Sequence, residues 1–277
     1  MTEQLLDVNG VRLCVETFGR AEDPAILLIH GASASMLWWE AGLCEQLAAE
    51  GRFVIRYDQR DTGRSTSYPV GKPSYALVDL ADDVLGILDR LGINRAHLVG
   101  CSMSGGLVLL LGVDHPERVA SLTFVSTSTM EPGLPPIGGY APEPPSDLSD
   151  PAVQVEYVLA VLRAYDGVSP LFDEAAARAL VEADVARATD MAASLTNPYL
   201  IDFTEPEHGG FGDITAPTLV IHGELDPVFP LRHGEAIARA VPGAELVVLA
   251  DAAHDLPRQR WADFVAALAR HTAGSDR

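Results

Sequence analysis

Short apolar runs recur along the chain with helical stretches between them. Val11–Thr17 has the pattern of an early antiparallel strand, and six later runs have the pattern of parallel strands: Ala25–His30, Phe53–Tyr57, Ala96–Val99, Leu122–Val125, Thr218–Ile221 and Leu246–Leu249. This alternation is typical of a mostly parallel sheet that helices cover on both faces. The sequence therefore predicts an α/β fold built on a doubly wound sheet.

Two stretches carry apolar residues at the three- and four-residue spacing of an amphipathic helix. The first, Ser74–Leu91, places aspartates on the opposite face, and the second lies near the C-terminus. Their apolar positions are Leu77, Ala81, Val84, Leu88 and Leu91 in the first stretch, and Trp261, Phe264, Val265 and Leu268 in the second. The first is predicted to be a helix lying on the sheet, and the second has the same character.

The alternation is interrupted once, between about Thr127 and Gly212, where no convincing strand pattern occurs. The interruption opens with the Pro- and Gly-rich stretch Glu131–Pro145. An insertion of this size between two strands predicts a helical cap over residues 127–211, on a core made of residues 1–126 and 212–277. The alternative is a solvated excursion from the sheet.

Two helical stretches are predicted inside this insertion. One begins after Asp150 and Pro151, because an aspartate cap followed by proline in the first turn is a favourable helix start. The other runs from about Asp173 to Leu195. The first carries an apolar stripe of Val155, Val158, Leu159 and Leu162, which needs a surface to cover and so favours the cap over the excursion.

The net charge of the chain limits the kinds of partner that it can bind. The 277 residues are 48% hydrophobic, as in a globular enzyme, and carry a formal net charge of -20. Such a charge repels phosphate backbones and anionic lipids, so neither nucleic acid nor a membrane surface is predicted as a partner. The longest apolar run, Gly105–Val113, is far shorter than the roughly 20 residues of a membrane-spanning helix. The composition does not indicate an oligomeric state.

The N-terminus and the cysteines bear on location. Met1–Gly10 has two acidic residues, no basic residue and no long apolar core, unlike a secretory signal. A cytoplasmic location is therefore predicted. Cys14, Cys44 and Cys101 are odd in number and irregular in spacing, which predicts buried small side chains instead of a disulfide framework or a metal site.

A candidate nucleophile lies where a predicted strand meets a helix. The run Gly100–Gly105 reads Gly-Cys-Ser-Met-Ser-Gly and follows the apolar run Ala96–Val99. A serine on such a turn, here Ser102, exposes its hydroxyl at the sheet edge near a helix N-terminus. The pattern is G-x-S-x-S, so Ser104 replaces the usual final glycine with another small residue. The alternative is that Ser102 only caps the helix.

Four further polar segments follow predicted parallel strands. They are His30–Ser33, Asp58–Ser65, His222–Pro227 and Ala252–Asp255. The carboxyl ends of parallel strands meet at one edge of a sheet, where open α/β folds place their sites. These segments and the serine turn are therefore expected to lie together.

With serine, acid and histidine in that order, these segments resemble the α/β-hydrolase family over essentially the whole chain. The resemblance implies that Ser102 is the nucleophile, Asp226 the acid and His254 the base. A serine hydroxyl needs a base to take its proton, and the base needs a carboxylate to orient it. Glu224 is a rival acid. Of the other histidines, His271 lies in a polar tail and His233 in a predicted helix.

The resemblance also implies an oxyanion hole, formed by the backbone N–H of Met103 and one from the His30-Gly31-Ala32 turn. Ala32 is the expected second donor, although Gly31 is an alternative. His30 itself is predicted to organise this loop, and Asp58–Ser65 to brace it. The triad needs no cofactor and no metal.

The run Arg60–Ser65 resembles that of esterases of the aclacinomycin methylesterase type, which trim methyl esters from aromatic polyketides. The expected function is therefore hydrolysis of a small-molecule carboxylic ester through an acyl-enzyme. Ser102 argues against haloalkane dehalogenases and epoxide hydrolases, which need a carboxylate nucleophile. Three alternatives remain: a cofactor-free haloperoxidase-like reaction, carbon–carbon bond hydrolysis, and a ligand-binding receptor with a vestigial triad.

Overall fold

An eight-stranded sheet runs through the molecule, which is described by a computed structural model over residues 3–138 and 141–274. The strands are β1 (Gln4–Val8), β2 (Val11–Phe18), β3 (Ala25–Ile29), β4 (Phe53–Tyr57), β5 (Ala96–Cys101), β6 (Val119–Val125), β7 (Thr218–Gly223) and β8 (Glu245–Leu249). Their order across the sheet is β1-β2-β4-β3-β5-β6-β7-β8. All seven predicted strands are present.

The sheet is antiparallel only at one edge, where β2 pairs with β1 and with β4. All other neighbouring strands are parallel, which confirms the predicted fold class. Every residue of β3 and of β5 is buried, as expected for strands covered on both faces. β1 was not predicted from the sequence, because most of it is not buried and it lacks the apolar run of a central strand.

Helices cover both faces of the sheet. The long helices of the core are α1 (Ala41–Ala49), α2 (Leu77–Arg90), α3 (Ser104–Asp114), α7 (Arg232–Ala240) and α8 (Trp261–Ala273). Apolar residues of α2, α3 and α7 join one buried cluster, and those of α1 and α8 join another on the opposite face. Both amphipathic stripes of the sequence therefore bury their apolar side against the sheet.

Between β6 and β7 the described residues form no strand, while residues 139 and 140 of the Pro- and Gly-rich stretch lie outside the description. The helices here are α4 (Pro151–Asp166), α5 (Glu174–Arg187) and α6 (Met191–Ser194). As predicted, Asp150 caps α4, its Oδ1 accepting a hydrogen bond from Ala152 N at 2.8 Å.

The single helix predicted from Asp173 to Leu195 is wrong, because the chain breaks between α5 and α6. Ala188 has an extended backbone. Thr189 N then donates to Gly63 O at 2.7 Å, a bond to the core in place of a helical one. Asp190 starts a new helix by accepting from Ala193 N at 3.0 Å. A tertiary hydrogen bond therefore ends a helix that the residue pattern alone would continue.

The helices α4 and α5 pack on each other and share an apolar cluster with Trp38 of the loop after β3. Polar contacts then fasten α5 to the core. Trp38 Nε1 donates to Asp184 Oδ2 at 2.8 Å, and Arg187 pairs with Asp58 at 2.7 Å. The insertion thus rests on the loops at the carboxyl edge of the sheet.

Two predictions from composition can be compared with the structure. Cys14, Cys44 and Cys101 are all buried and unpaired, as expected. Within residues 3–138 and 141–274, no helix combines the length and the apolar character that a membrane span requires.

A buried ion pair joins the loop after β4 to α2. Arg60 Nε donates to Asp83 Oδ2 at 2.7 Å and Arg60 Nη2 to Asp83 Oδ1 at 2.9 Å, with side chains 6% and 2% exposed. Removing one partner of such a pair leaves the other charge in the interior without compensation.

We therefore expect Arg60→Met to lower the free energy of unfolding by about 3–5 kcal/mol, measured by urea denaturation. The double variant Arg60→Met/Asp83→Leu should lose less, because neither charge then remains buried. The exposed pair of Arg178 with Glu156 is the control, and Arg178→Met should change the stability little. An equal loss from Arg178→Met would contradict the role of burial.

Candidate active site

Ser102 occupies the sharp turn between β5 and α3. Its φ of 52° lies in the left-handed region, which non-glycine residues adopt at a cost of roughly 1–3 kcal/mol. The turn is held by Ser102 N, which donates to Val125 O of the neighbouring strand at 2.9 Å. A Cβ on Gly100 would collide with the carbonyl oxygen of Ser104, so the turn requires glycine there. Tight packing thus fixes the serine in a strained conformation.

The structure brings together the three residues predicted to form a triad. His254 Nε2 lies 3.1 Å from Ser102 Oγ, and His254 Nδ1 lies 3.0 Å from Asp226 Oδ2. Asp226 and His254 are buried, at 4% and 5% exposure. A continuous hydrogen-bonded chain therefore runs from the hydroxyl through the imidazole to the carboxylate.

The turn after β7 presents Asp226, not Glu224, to the histidine. Asp226 Oδ1 accepts hydrogen bonds from Val228 N at 2.8 Å and Phe229 N at 2.9 Å, which leaves Oδ2 to face His254. Glu224 is exposed and accepts from Asp251 N at 3.1 Å. The backbone of the turn orients one carboxylate towards the site and the other away from it.

The charge around His254 favours its protonated form. Burial of the ring opposes protonation, but the negative charge and hydrogen bond of Asp226 act the other way, with smaller contributions from Asp255 and Asp166. Together these raise the pKa of His254 to about 9. The ring is thus a stronger base than an ordinary histidine.

Two backbone N–H groups next to Ser102 are free to receive a ligand. Neither Met103 N–H nor Ala32 N–H donates a hydrogen bond to a residue in the described parts of the chain. The preceding Gly31 lies directly against the serine, because a Cβ there would come within 2.9 Å of Ser102 Cβ. The predicted oxyanion loop therefore adjoins the hydroxyl.

Ser104 fastens this loop, a role that sequence reasoning missed. Its Oγ donates to the carbonyl oxygen of His30 at 2.6 Å, and Gln59 Nε2 donates to the same oxygen at 2.8 Å. The departure from G-x-S-x-G thus supplies a hydroxyl that glycine could not. His30 was expected to organise this loop, and it contributes through its backbone carbonyl, which accepts both hydrogen bonds.

The segment after β4 braces the same region, as predicted. Asp58 Oδ1 accepts from Met36 N at 2.9 Å, and its Oδ2 accepts from Arg64 N at 2.9 Å. The carboxylate also meets the guanidinium of Arg187 from α5. One buried aspartate therefore joins two loops and the insertion.

Three other histidines lie outside the candidate triad. His222, which sequence reasoning noticed without assigning a role, lies beneath the site, with Nε2 2.7 Å from Phe229 O and 3.6 Å from Asp226 Oδ2. His233 lies in α7, with Nδ1 2.6 Å from Ser128 Oγ. His271 belongs to α8, so its prediction as part of a polar tail is wrong.

A partly open cavity of about 140 Å³ lies near the candidate triad, between the core and α4–α5. Its wall includes Cys101, directly before Ser102, and Asp255, directly after His254. A larger open groove of about 710 Å³ lies elsewhere, between residues 144–154 and 185–196. None of the three triad candidates lines either space. Within the described ranges, no group of three or more His, Cys, Asp or Glu side chains is arranged to hold a metal.

Comparison with known proteins identifies the class. Residues 24–257 match the family model described as the alpha/beta hydrolase fold. The protein therefore belongs to the α/β-hydrolase family.

Individual relatives extend this assignment. The chain is 31% identical over 297 residues to a rhodomycin D methylesterase from Streptomyces sp. (strain C5), with 98% of each chain covered. It is 30% identical to a 2-hydroxymuconate semialdehyde hydrolase from Pseudomonas putida, over 82% of this chain and 79% of that protein. An enol-lactonase from Burkholderia xenovorans LB400 superposes with a TM-score of 0.76 at 27% identity, covering 98% and 100% of the two chains. The predicted resemblance to methylesterases is confirmed.

We expect Ser104→Ala to lower kcat for p-nitrophenyl acetate by about threefold to tenfold with little change in KM, because one of two hydrogen bonds to His30 O is lost. Ser104→Gly, which restores the usual family residue, should behave alike. The control is Ser74→Ala, which removes an exposed hydroxyl away from the site. If kcat in Ser104→Ala equals that of the control, the hydroxyl does not position the loop.

Proposed function

We propose that the protein hydrolyses a carboxylic ester through an acyl-enzyme, with Ser102 as nucleophile, His254 as general base and Asp226 as the orienting acid. The observation that carries the proposal is the hydrogen-bonded chain from Ser102 Oγ through His254 to Asp226 on a strand–helix turn. Family membership and similarity to methylesterases over 98% of the chain support ester hydrolysis.

In the first step, Ser102 Oγ attacks the ester carbonyl carbon while its proton passes to His254 Nε2. Asp226 stabilises the resulting imidazolium through Nδ1. The negative oxygen of the tetrahedral intermediate takes hydrogen bonds from Met103 N–H and from Ala32, with Gly31 the alternative second donor. The intermediate collapses, the alcohol leaves with the proton from His254, and the acyl group stays on Ser102.

In the second step, a water molecule attacks the acyl-enzyme carbonyl while His254 takes its proton. Collapse of the second tetrahedral intermediate breaks the bond to Ser102 Oγ and releases the carboxylic acid. The proton returns to Ser102, so the enzyme is regenerated. None of these steps calls for a group beyond the side chains and amides already described.

We further infer that the substrate is a methyl ester of a polyketide-type small molecule. The similarity to two rhodomycin D methylesterases supports this inference. Residues 127–211 would form the cap that contributes one wall of the substrate pocket, on a core of residues 1–126 and 212–277. The apolar cluster of α4 and α5 with Trp38, above the carboxyl edge of the sheet, suits this role.

Ser102→Ala should abolish both p-nitrophenyl acetate hydrolysis and labelling by a fluorophosphonate probe, because the attacking oxygen is gone. The fold should persist, as judged by circular dichroism and thermal unfolding. Ser74→Ala is the matched control and should keep both readouts.

Labelling that persists in Ser102→Ala would place the nucleophile elsewhere. A wild-type protein that binds esters without releasing p-nitrophenol or taking up the label would instead be a receptor with a vestigial triad.

The pH dependence of kcat/KM follows from the state of His254. The base must be neutral to take the serine proton, and its pKa is raised to about 9, so activity should rise with pH towards a midpoint near that value. Asp226→Asn removes the main charge that raises this pKa, so the midpoint should move down while kcat falls by several powers of ten. Glu224→Gln is the control, and its midpoint should stay in place. Rates are measured after subtraction of spontaneous hydrolysis. An unmoved midpoint in Asp226→Asn would contradict the assignment of the acid.

A further inference from the structure

The cavity near the triad has a mostly apolar wall with a few polar groups. Its volume of about 140 Å³ is several times what one water molecule needs. Apolar side chains come from both the core and the insertion, among them Trp38, Leu162, Phe172 and Leu180. A pocket of this composition holds an apolar ligand and uses its few polar groups to orient it.

Three polar atoms of residues in this wall are buried without a hydrogen-bond partner among the described residues. They are His30 Nδ1, Trp39 Nε1 and Asp166 Oδ2. Buried polar groups in native proteins are almost always paired, so three in the wall of one cavity call for a ligand or for water. Among the other polar wall residues, Ser169 donates to Asp251 O, Asp173 caps α5 and Glu40 pairs with Arg258.

Asp166, at the end of α4, is the most informative of the three. It is 7% exposed, and its Oδ1 accepts from the backbone N–H of Asp255, the residue after His254, at 2.9 Å. Burial, and then the negative charge of Asp255, raise the pKa of Asp166 well above its usual range. The raised pKa favours the protonated form of the carboxyl group, which carries a proton to donate.

The hydrogen-bonding capacity of the other two atoms indicates the same kind of ligand. The Trp39 indole N–H can only donate a hydrogen bond. Burial lowers the pKa of His30 to about 4, so this ring is neutral and offers either a donor or an acceptor at Nδ1. The set suits an uncharged oxygen that accepts hydrogen bonds and can also donate one. A carboxylate would meet the negative charge of Asp255 there.

We propose that the cavity lined by His30, Trp39 and Asp166 is a subsite for a hydroxyl or carbonyl oxygen of the ester substrate. This inference rests on the proposed function, because the cavity wall includes Cys101 and Asp255, the chain neighbours of Ser102 and His254. The enzyme would thus select oxygenated esters over their plain hydrocarbon counterparts. An analogue that lacks the oxygen should bind more weakly, since the buried polar groups of the cavity wall then stay without a hydrogen-bond partner.

The test compares methyl butanoate with methyl 2-hydroxybutanoate and methyl 3-hydroxybutanoate, each enantiomer separately, as competitors of p-nitrophenyl acetate. Competition yields an inhibition constant whether or not the methyl ester is itself turned over quickly. In the wild type, at least one hydroxy ester should bind roughly tenfold more tightly than methyl butanoate.

Two variants assign this preference to the subsite. Trp39→Phe removes one N–H and keeps a flat ring, and Asp166→Leu removes the carboxyl group, so each should bring the ratio of inhibition constants towards one. Asp166→Asn keeps an acceptor for Asp255 N–H and a donor towards the cavity, so it should retain most of the preference. Each result is a ratio within one variant, so a general loss of activity cancels. Asp82→Asn, which changes an exposed carboxylate on α2, is the control and should keep the wild-type ratio.

Equal inhibition constants in the wild type would overturn the subsite, as would no inhibition by any ester up to its solubility limit. In either case water alone fills the cavity. A preference that survives both Trp39→Phe and Asp166→Leu would also overturn it. Failure of the proposed function looks different, because the wild type would then neither hydrolyse p-nitrophenyl acetate nor take up the fluorophosphonate.

Discussion

The left-handed backbone of Ser102 is the constraint on which the site depends. A strand that ends at Cys101 and a helix that begins at Ser104 leave too little chain for a relaxed turn, so the intervening residue adopts a φ of 52°. The surrounding sheet holds it there, through Val125 O on one side and the close approach of Gly31 on the other. The strain thereby fixes the hydroxyl opposite the imidazole of His254 and beside the free amide of Met103.

Acidic side chains dominate the electrostatics around that hydroxyl. Asp226, Asp255 and Asp166 all raise the pKa of His254. Two backbone N–H groups orient Asp226, while burial raises the pKa of Asp166 itself above its usual range. The single hydrogen bond from Asp255 N to Asp166 ties the end of α4 to the loop that carries His254. A change in the insertion can therefore alter the position or the pKa of His254 without any contact to Ser102.

Most of the fold could be predicted from the sequence, because parallel strands buried on both faces appear in it as continuous apolar runs. β1 was not predicted, because most of its residues are not buried. The break between α5 and α6 was not predicted either, because the bond from Thr189 to Gly63 connects residues far apart in the chain. The three residues assigned to the triad were found through turn motifs at strand ends. Asp166 carries no such signal, since an aspartate at a helix end usually faces water. Only the packing of α4 against the loop after β8 buries it.

The contacts of the insertion bear on how freely it can move. Three of its residues reach the loops around the oxyanion turn: Asp184 accepts from Trp38, Arg187 pairs with Asp58, and Ser194 donates to Ser33 O at 3.1 Å. Arg187 and Asp58 are both buried, and separating them would leave the Asp58 carboxylate without its ion-pair partner. The end of α4 and the turn after it are fastened as well, because Asp166 accepts from Asp255 N and Ser169 donates to Asp251 O. The contacts of α5 and α6 thus support the loops around the oxyanion turn, while α4 and α5 together supply the insertion's part of the cavity wall, which includes Asp166.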